Sequence, residues 1–166
     1  METHALIAFD NLTAVLQEYG AAVVDKYREE LAARGKNASG ELSQSVRYMV
    51  TRDATVYAVD LSLASYWRYV EYGRRPGKFP PPDKILEWVR IKPVIPRPLS
   101  NGKLPTEKQL AYLIGRKIAR EGIAPTPALA TTTEALYDQF LDRIGEALSA
   151  DIAAAVDGAL SALASR

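Results

Sequence analysis

The side chains able to carry chemistry are few. Cysteine is absent and histidine occurs once, at His4. Thiol nucleophiles, thiolate metal sites, disulfides, a Ser-His-Asp triad and multi-histidine metal centres therefore have no material. Glu71 and Glu87 could form an acid/base pair, but they read better as solvated helix residues, because nothing near them suggests a metal or proton shuttle. Asp138, Asp142 and Glu146 fall at helical spacing and read as a solvated face rather than as cation ligands. Neither a Gly-x-Gly-x-x-Gly nor a Gly-x-x-x-x-Gly-Lys-Ser/Thr phosphate loop occurs. The expectation is a protein without enzymatic activity, cofactor or metal.

The densest functional cluster is basic and aromatic. Arg74, Arg75 and Lys78 stand beside Phe79, just after Tyr66, Trp67, Tyr69 and Tyr72. Such a loop could bind phosphate or nucleic acid, or dock on an acidic protein surface. One short helix has room inward for Tyr66, Tyr69 and Val70 only, which turns Trp67, Tyr72 and the two arginines outward. Exposed Tyr and Trp beside Arg have the composition of an interface hot spot. With two further cations in a downstream proline loop, the predicted contact set is Trp67, Tyr69, Tyr72, Arg74, Arg75, Lys78, Phe79, Arg97 and Lys103.

Net charge is +1 but unevenly placed. Residues 66–122 hold thirteen Lys/Arg against five Asp/Glu, or +8, whereas residues 123–166 hold two against six, or −4. A basic middle could bind nucleic acid. The cations are dispersed, however, so the simpler reading is that opposite charges meet within the chain or on a neighbouring subunit.

The elements that must position these residues follow from periodicity. Across residues 5–33, Phe9, Leu12, Leu16, Tyr19, Val23, Tyr27 and Leu31 form the stripe of an amphipathic helix ending at Gly35. A loop over 35–40 leads to a β-hairpin, with Val46, Tyr48 and Val50 in one strand, residues 56–61 in the other and Arg52-Asp53-Ala54 connecting them. Two strands are marginal alone and need a helix or a second copy against one face. A short helix capped by Ser65 and closed by Gly73 precedes the proline run 74–82, then a helix over 83–91. The loop 93–105 is followed by a helix from the Thr106/Gln109 capping box to Gly122, with Leu110, Leu113, Ile114 and Ile118 inward. Residues 123–130 should be extended. A second capping box, Thr131 and Glu134, starts a final helix whose inward stripe runs Leu136, Phe140, Ile144, Leu148, Ile152, Val156, Leu160 and Leu163. At 1.5 Å per residue it spans on the order of 45 Å, so it crosses the domain or packs on another subunit.

The fold class expected is α+β: a small antiparallel sheet packed against a long N-terminal helix, with further helices and a long C-terminal helix. Residues 1–130 form the α+β domain and 131–166 the C-terminal helix, packed on that domain or on a neighbouring subunit. No run of eighteen apolar residues occurs, so no membrane partner is expected. Met1-Glu2-Thr3-His4 lacks the layout of a signal peptide.

Several segments resemble, in order, a tailed-bacteriophage neck family of tail-completion or tail-to-head joining proteins, also described as minor tail components. Tyr66-x-x-Tyr69-Val70-Glu71-Tyr72-Gly73-Arg74-Arg75-Pro76 is similar to its Y-x-x-Y-V-E-x-G-x-x-P segment. Gly40-Glu41-Leu42-Ser43-Gln44-Ser45 resembles its G-x-L-x-x-S lead into the first strand. Pro80-Pro81 before a helix carrying Trp88, the run 114–118, and Gly122-Ile123-x-Pro125-x-Pro127-x-Leu129 resemble its later helices and its G-x-x-P-x-P-x-L turn. The resemblance covers about residues 40–130; the long loop 93–105 and the extended last helix depart from it. It implies a non-catalytic virion protein, made in the host cytoplasm, whose six copies (or twelve) form a ring in the phage neck. Its neighbours would be a head-side connector or stopper protein and a tail terminator or tail tube protein, with packaged DNA passing through the lumen. The competing class is a nucleic-acid-binding module that uses the basic middle.

Overall fold

The computed structural model describes residues 9–36, 39–53, 56–92 and 94–165. Six helices and one two-stranded sheet appear among them: α1 (Asp10–Ala33), α2 (Glu41–Ser45), β1 (Arg47–Asp53), β2 (Val56–Ser62), α3 (Trp67–Glu71), α4 (Pro82–Ile91), α5 (Glu107–Glu121) and α6 (Ala128–Ala164). This is the α+β class expected. The chain divides into two compact units. One holds the chain up to Tyr27, the hairpin 47–62 and residues from Ala130 onward; the other holds residues 28–46 and 63–129.

In the first unit, α1 buries Leu12, Leu16, Val23, Val24 and Tyr27, close to the stripe read from the sequence. The part of that stripe before residue 9 lies outside the described residues. From α6 this unit buries Leu136, Phe140 and Ala147, and the Tyr19 and Phe140 rings meet edge to face at 5.2 Å. The hairpin is antiparallel, with Arg47 opposite Ser62 and Asp53 opposite Val56; Ala54 of the expected connection lies outside the described residues. Its sheet finds the helix partner that two strands require. The Tyr48 ring lies so close over Gly20 of α1 that a Cβ there would sit 2.3 Å from it, and Phe9 meets Tyr57 edge-on at 5.6 Å.

The start of α1 is held by a side chain 140 positions away. Asp151 of α6 is buried, and its carboxylate accepts from the backbone N–H of Leu12 at 2.9 Å and of Asn11 at 3.2 Å, and from Asn11 Nδ2 at 2.7 Å. The first N–H groups of a helix have no partner within it, and the helix dipole favours an anion there. Burial alone would raise the Asp151 pKa, but the Leu12 and Asn11 hydrogen bonds outweigh it and hold the carboxyl below its usual range.

In the second unit the residues after α1 close the helix with paired bonds, Gly35 N–H to Ala32 O at 3.0 Å and Lys36 N–H to Leu31 O at 2.8 Å. Leu31, Leu42, Val46, Val89 and Ala111 are buried. Pro82 opens α4 as expected, and the Thr106–Gln109 capping box and Gly122 bound α5. Lys92 at the end of α4 donates to Gly35 O at 3.1 Å, and Arg90 pairs with Glu107 at 2.9 Å.

Three expectations are corrected. Ser65 does not cap α3, whose N-cap is Tyr66 without a side-chain bond. On α5 the buried positions are Ala111 and Gly115, while Leu113 is exposed, because the Phe79 ring rests over Gly115 and draws that face inward. The final helix starts at Ala128, so Thr131 lies inside it; its buried side runs Thr132, Leu136, Phe140, Ala147 and Asp151. Leu148, Ile152, Val156, Leu160 and Leu163, read as inward, are exposed. At 37 residues α6 spans about 55 Å. It is also long and apolar enough to cross a membrane by length and composition alone, with mean hydropathy 1.4 over an 18-residue window of which 11% is buried. Acidic residues such as Asp151 and Asp157 interrupt the apolar sequence of this helix, so it holds no unbroken run of eighteen apolar residues.

Two outcomes test this packing. Gly20→Ala removes a helix glycine, worth about 1 kcal/mol, yet it forces Tyr48 aside and should destabilise by about 1–3 kcal/mol. Gly145→Ala, where an added Cβ meets open space, should stabilise by up to about 1 kcal/mol in the same urea titrations. A carboxylate with a depressed pKa stabilises above its unfolded pKa, near 3.9, and loses that contribution as pH falls through its folded value. The stability gap between the native chain and Asp151→Asn should therefore be full at pH 6 and close progressively below about pH 4.

Candidate functional site

The segment around α3 is built as a clasp. α3 has five residues, too few for a helix to persist on its own backbone bonds. It is held from outside: Thr126 N–H donates to Val70 O at 2.9 Å and to Glu71 O at 3.2 Å. The Glu71 side chain, 3% exposed, reaches the start of α6 and accepts from the Leu129 N–H at 2.9 Å. Glu71 thus supplies to α6 what Asp151 supplies to α1, an anion on orphan N–H groups.

Beyond Glu71 the two strands of the clasp approach closely. Arg74 N–H donates to Ile123 O at 2.9 Å, and Ile123 N–H returns the bond to Arg74 O at 2.8 Å. Gly73 (φ +70°) and Gly122 (φ +78°) flank this bridge. A Cβ on Gly73 would stand 2.3 Å from Ile123 O, and one on Gly122 2.1 Å from Arg74 O. Only glycine meets both demands, a left-handed backbone and contact with a facing carbonyl. The segments Tyr69–Pro76 and Gly122–Leu129, about fifty positions apart, are therefore one structural feature.

The segment 40–45 joins the same unit. Ser45 Oγ accepts from Ala64 N–H at 2.9 Å, Ser43 O accepts from Arg28 Nε at 3.0 Å, and Leu42 is buried. Burial, followed by the charge and hydrogen bond of Glu41, pushes the Tyr66 phenol pKa up against opposing bonds from Ser39 and the Leu42 backbone.

The nine predicted contact residues separate on this frame. Tyr69 and Tyr72 are 58% and 70% exposed, and Arg75 and Lys78 are exposed without an ion pair among the described residues. Tyr69, placed both on the inward face and in the contact set, turns outward; backbone bonds from Thr126, not an apolar face, hold α3. Trp67 is half-buried, with Tyr72 at 5.9 Å and the Arg68 guanidinium 5.8 Å above its ring. Arg74 is half-buried and donates from Nη2 to Lys78 O, while Gly77 N–H donates to Ala119 O at 2.7 Å. Arg74 therefore closes the loop 74–78, and Phe79 packs inward, stacked on Tyr112 at 5.8 Å. Arg97 and Lys103 are exposed in a loop that turns between Leu99 and Lys103, where Leu99 N–H donates to Lys103 O at 2.8 Å.

No family model matches this chain, and neither does any curated protein or solved structure. The chemistry available is that of its own surfaces. Glu71, read as a solvated helix residue, is buried at the clasp, whereas Glu87 is exposed beside Lys84 at 3.2 Å. Among the described residues no three His, Cys, Asp or Glu side chains gather as a metal site. The signal that could have found Glu71 is its place between two segments that both need a backbone partner.

The clasp predicts a stability pattern. Glu71→Ala should cost about 1.5–3 kcal/mol, the worth of a charge-assisted bond to a buried group. Gly73→Ala should cost clearly more than Gly102→Ala, since Gly102 shares the positive φ (+74°) but has open space around it. Urea unfolding of the three variants checks the order; equal costs at the two glycines would remove the close approach.

Proposed function

We propose that this chain is a structural virion protein of the bacteriophage neck, forming a ring that joins the head-side connector to the tail tube. The motif segments that resemble the neck family support this, and one observation carries it. Two of those segments, 66–76 and 122–129, fold against one another around the buried Glu71, and the third, 40–45, joins the same unit through Tyr66 and Ala64. The backbone bonds and the Glu71–Leu129 bond that join the first two support reading them as one feature. What the clasp leaves outward is Tyr69, Tyr72, Arg75 and Lys78, amphipathic rings beside cations that make no ion pair among the described residues. That is the composition of a protein interface, without groups for turnover.

Arg75→Glu with Lys78→Glu tests the role, with Arg74 left intact because it closes the loop. Exposed charges contribute little to folding, so stability should change by less than about 1 kcal/mol. In cells producing the phage, joined particles should fall at least tenfold and leave filled heads and free tails. A chain missing from purified particles, or normal joining without it, overturns the proposal. Salt-sensitive, sequence-independent DNA binding by the isolated monomer would move the reading to a nucleic-acid module.

A further inference from the structure

We infer that α6 is the docking surface for α5 of a second copy of this chain, through oppositely charged stripes on the two helices. This deepens the ring reading above and rests on it for closure.

The outward side of α6 is opposite its buried one. Glu134, Tyr137, Asp138, Leu141, Gly145, Leu148 and Ile152 recur at three and four, so they share one face. Tyr137 is 58% and Leu141 48% exposed, and Glu134 and Asp138 make no ion pair among the described residues. The acidic end of this stripe is concave. A depression of about 450 Å³ is lined by Tyr19, Ala130, Thr133, Glu134, Tyr137 and Asp138. Two carboxylates and two tyrosines lining one depression suit a guanidinium, which binds carboxylates through paired donors and lies over aromatic faces.

The complementary surface is on α5. Tyr112, Leu113, Arg116, Lys117 and Arg120 share its outward face. Tyr112 is 59% exposed and Arg116 has no ion-pair partner among the described residues, while Lys117 and Arg120 share the single carboxylate of Glu121. Both stripes thus combine an exposed tyrosine and leucine with charges of one sign, and the signs are opposite. The charge complementarity selects α5 of another copy as the occupant. Because the two faces differ, the contact is head-to-tail and leaves one face of each kind free on a pair.

Sedimentation and native mass spectrometry test this with four chains: native, Arg116→Glu/Arg120→Glu, Glu134→Arg/Asp138→Arg, and the chain with both sides reversed. The native chain should associate beyond the dimer. Each one-sided reversal should weaken association by about 100-fold, since facing like charges cost several kcal/mol. The fully reversed chain should recover to within about tenfold. Should a reversal fail to fold, Glu134→Gln/Asp138→Asn answers the same question. It should remove the weakening of association between about 50 and 500 mM salt that the native chain shows. A native chain that stays monomeric at about 100 µM, association untouched by the reversals, or no recovery in a folded, fully reversed chain overturns the inference. Association that vanishes on nuclease treatment also overturns it. Association through these faces by a chain absent from particles would remove the neck reading alone; incorporation of a chain that fails these tests would remove this one alone.

Discussion

A long helix that starts inside a folded unit must satisfy its first N–H groups without water, and here a buried carboxylate meets part of that need for α6 by accepting from Leu129 N–H. Glu71 reaches Leu129 N–H from a helix of five residues that could not persist by itself. The dependence is mutual: the start of α6 fixes α3 through Thr126 and Leu129, and α3 fixes the start of α6. The Gly73–Gly122 approach and the Arg74–Ile123 bridge extend this interlock by one turn of chain. Whatever Tyr69, Tyr72, Arg75 and Lys78 contact, their positions follow from that carboxylate. A charged group bonded to a helix terminus also lacks the freedom of a surface side chain, so it sets register as well as energy.

Much of the frame was legible because it is local. The α1 stripe, the hairpin, Pro82 at the head of α4 and the Thr106–Gln109 box are all encoded within a few residues of where they act. The errors share the opposite property. Thr131 and Glu134 look like a capping box, but Glu71, from 58 positions away, caps the helix three residues earlier. Tyr69 looks inward on a helical wheel, but a wheel has no meaning where foreign backbone bonds hold five residues. The apolar stripe of α6 was followed to Leu163, but the helix that covers it starts at Asp10, where Asp151 is bonded. Among the described residues nothing beyond that point buries Val156 or Leu160, while Ile152 already lies on the outward face. Periodicity reports which face is apolar; it does not report how far the cover extends.

The site divides along the same line. Motif spacing located the segment 66–79 but placed Arg74, Arg75, Lys78 and Phe79 alike in the contact set. Geometry divides them into residues that build the loop, Glu71, Gly73, Arg74 and Phe79, and residues that the loop displays. An arginine bonded to a carbonyl four positions on and an arginine with no ion pair look identical in sequence.

The energetics of a second copy on α6 follow from magnitudes. Exposed ion pairs contribute about 0–1 kcal/mol each, whereas burying a leucine or a large aromatic contributes about 1.5–3 kcal/mol. Tyr137, Leu141 and Leu148 therefore supply most of the attraction, and Glu134 and Asp138 choose the partner and its register. That division also explains why the charges differ between the helices. Apolar stripes alone would pair α6 with α6, a two-fold contact that satisfies itself and stops at a dimer. Opposite charges on α5 and α6 repel both like pairings and leave only the unlike one. In the assembly proposed, each added copy would expose one face of each kind, so growth would end only when the rotation between copies returns the last face to the first.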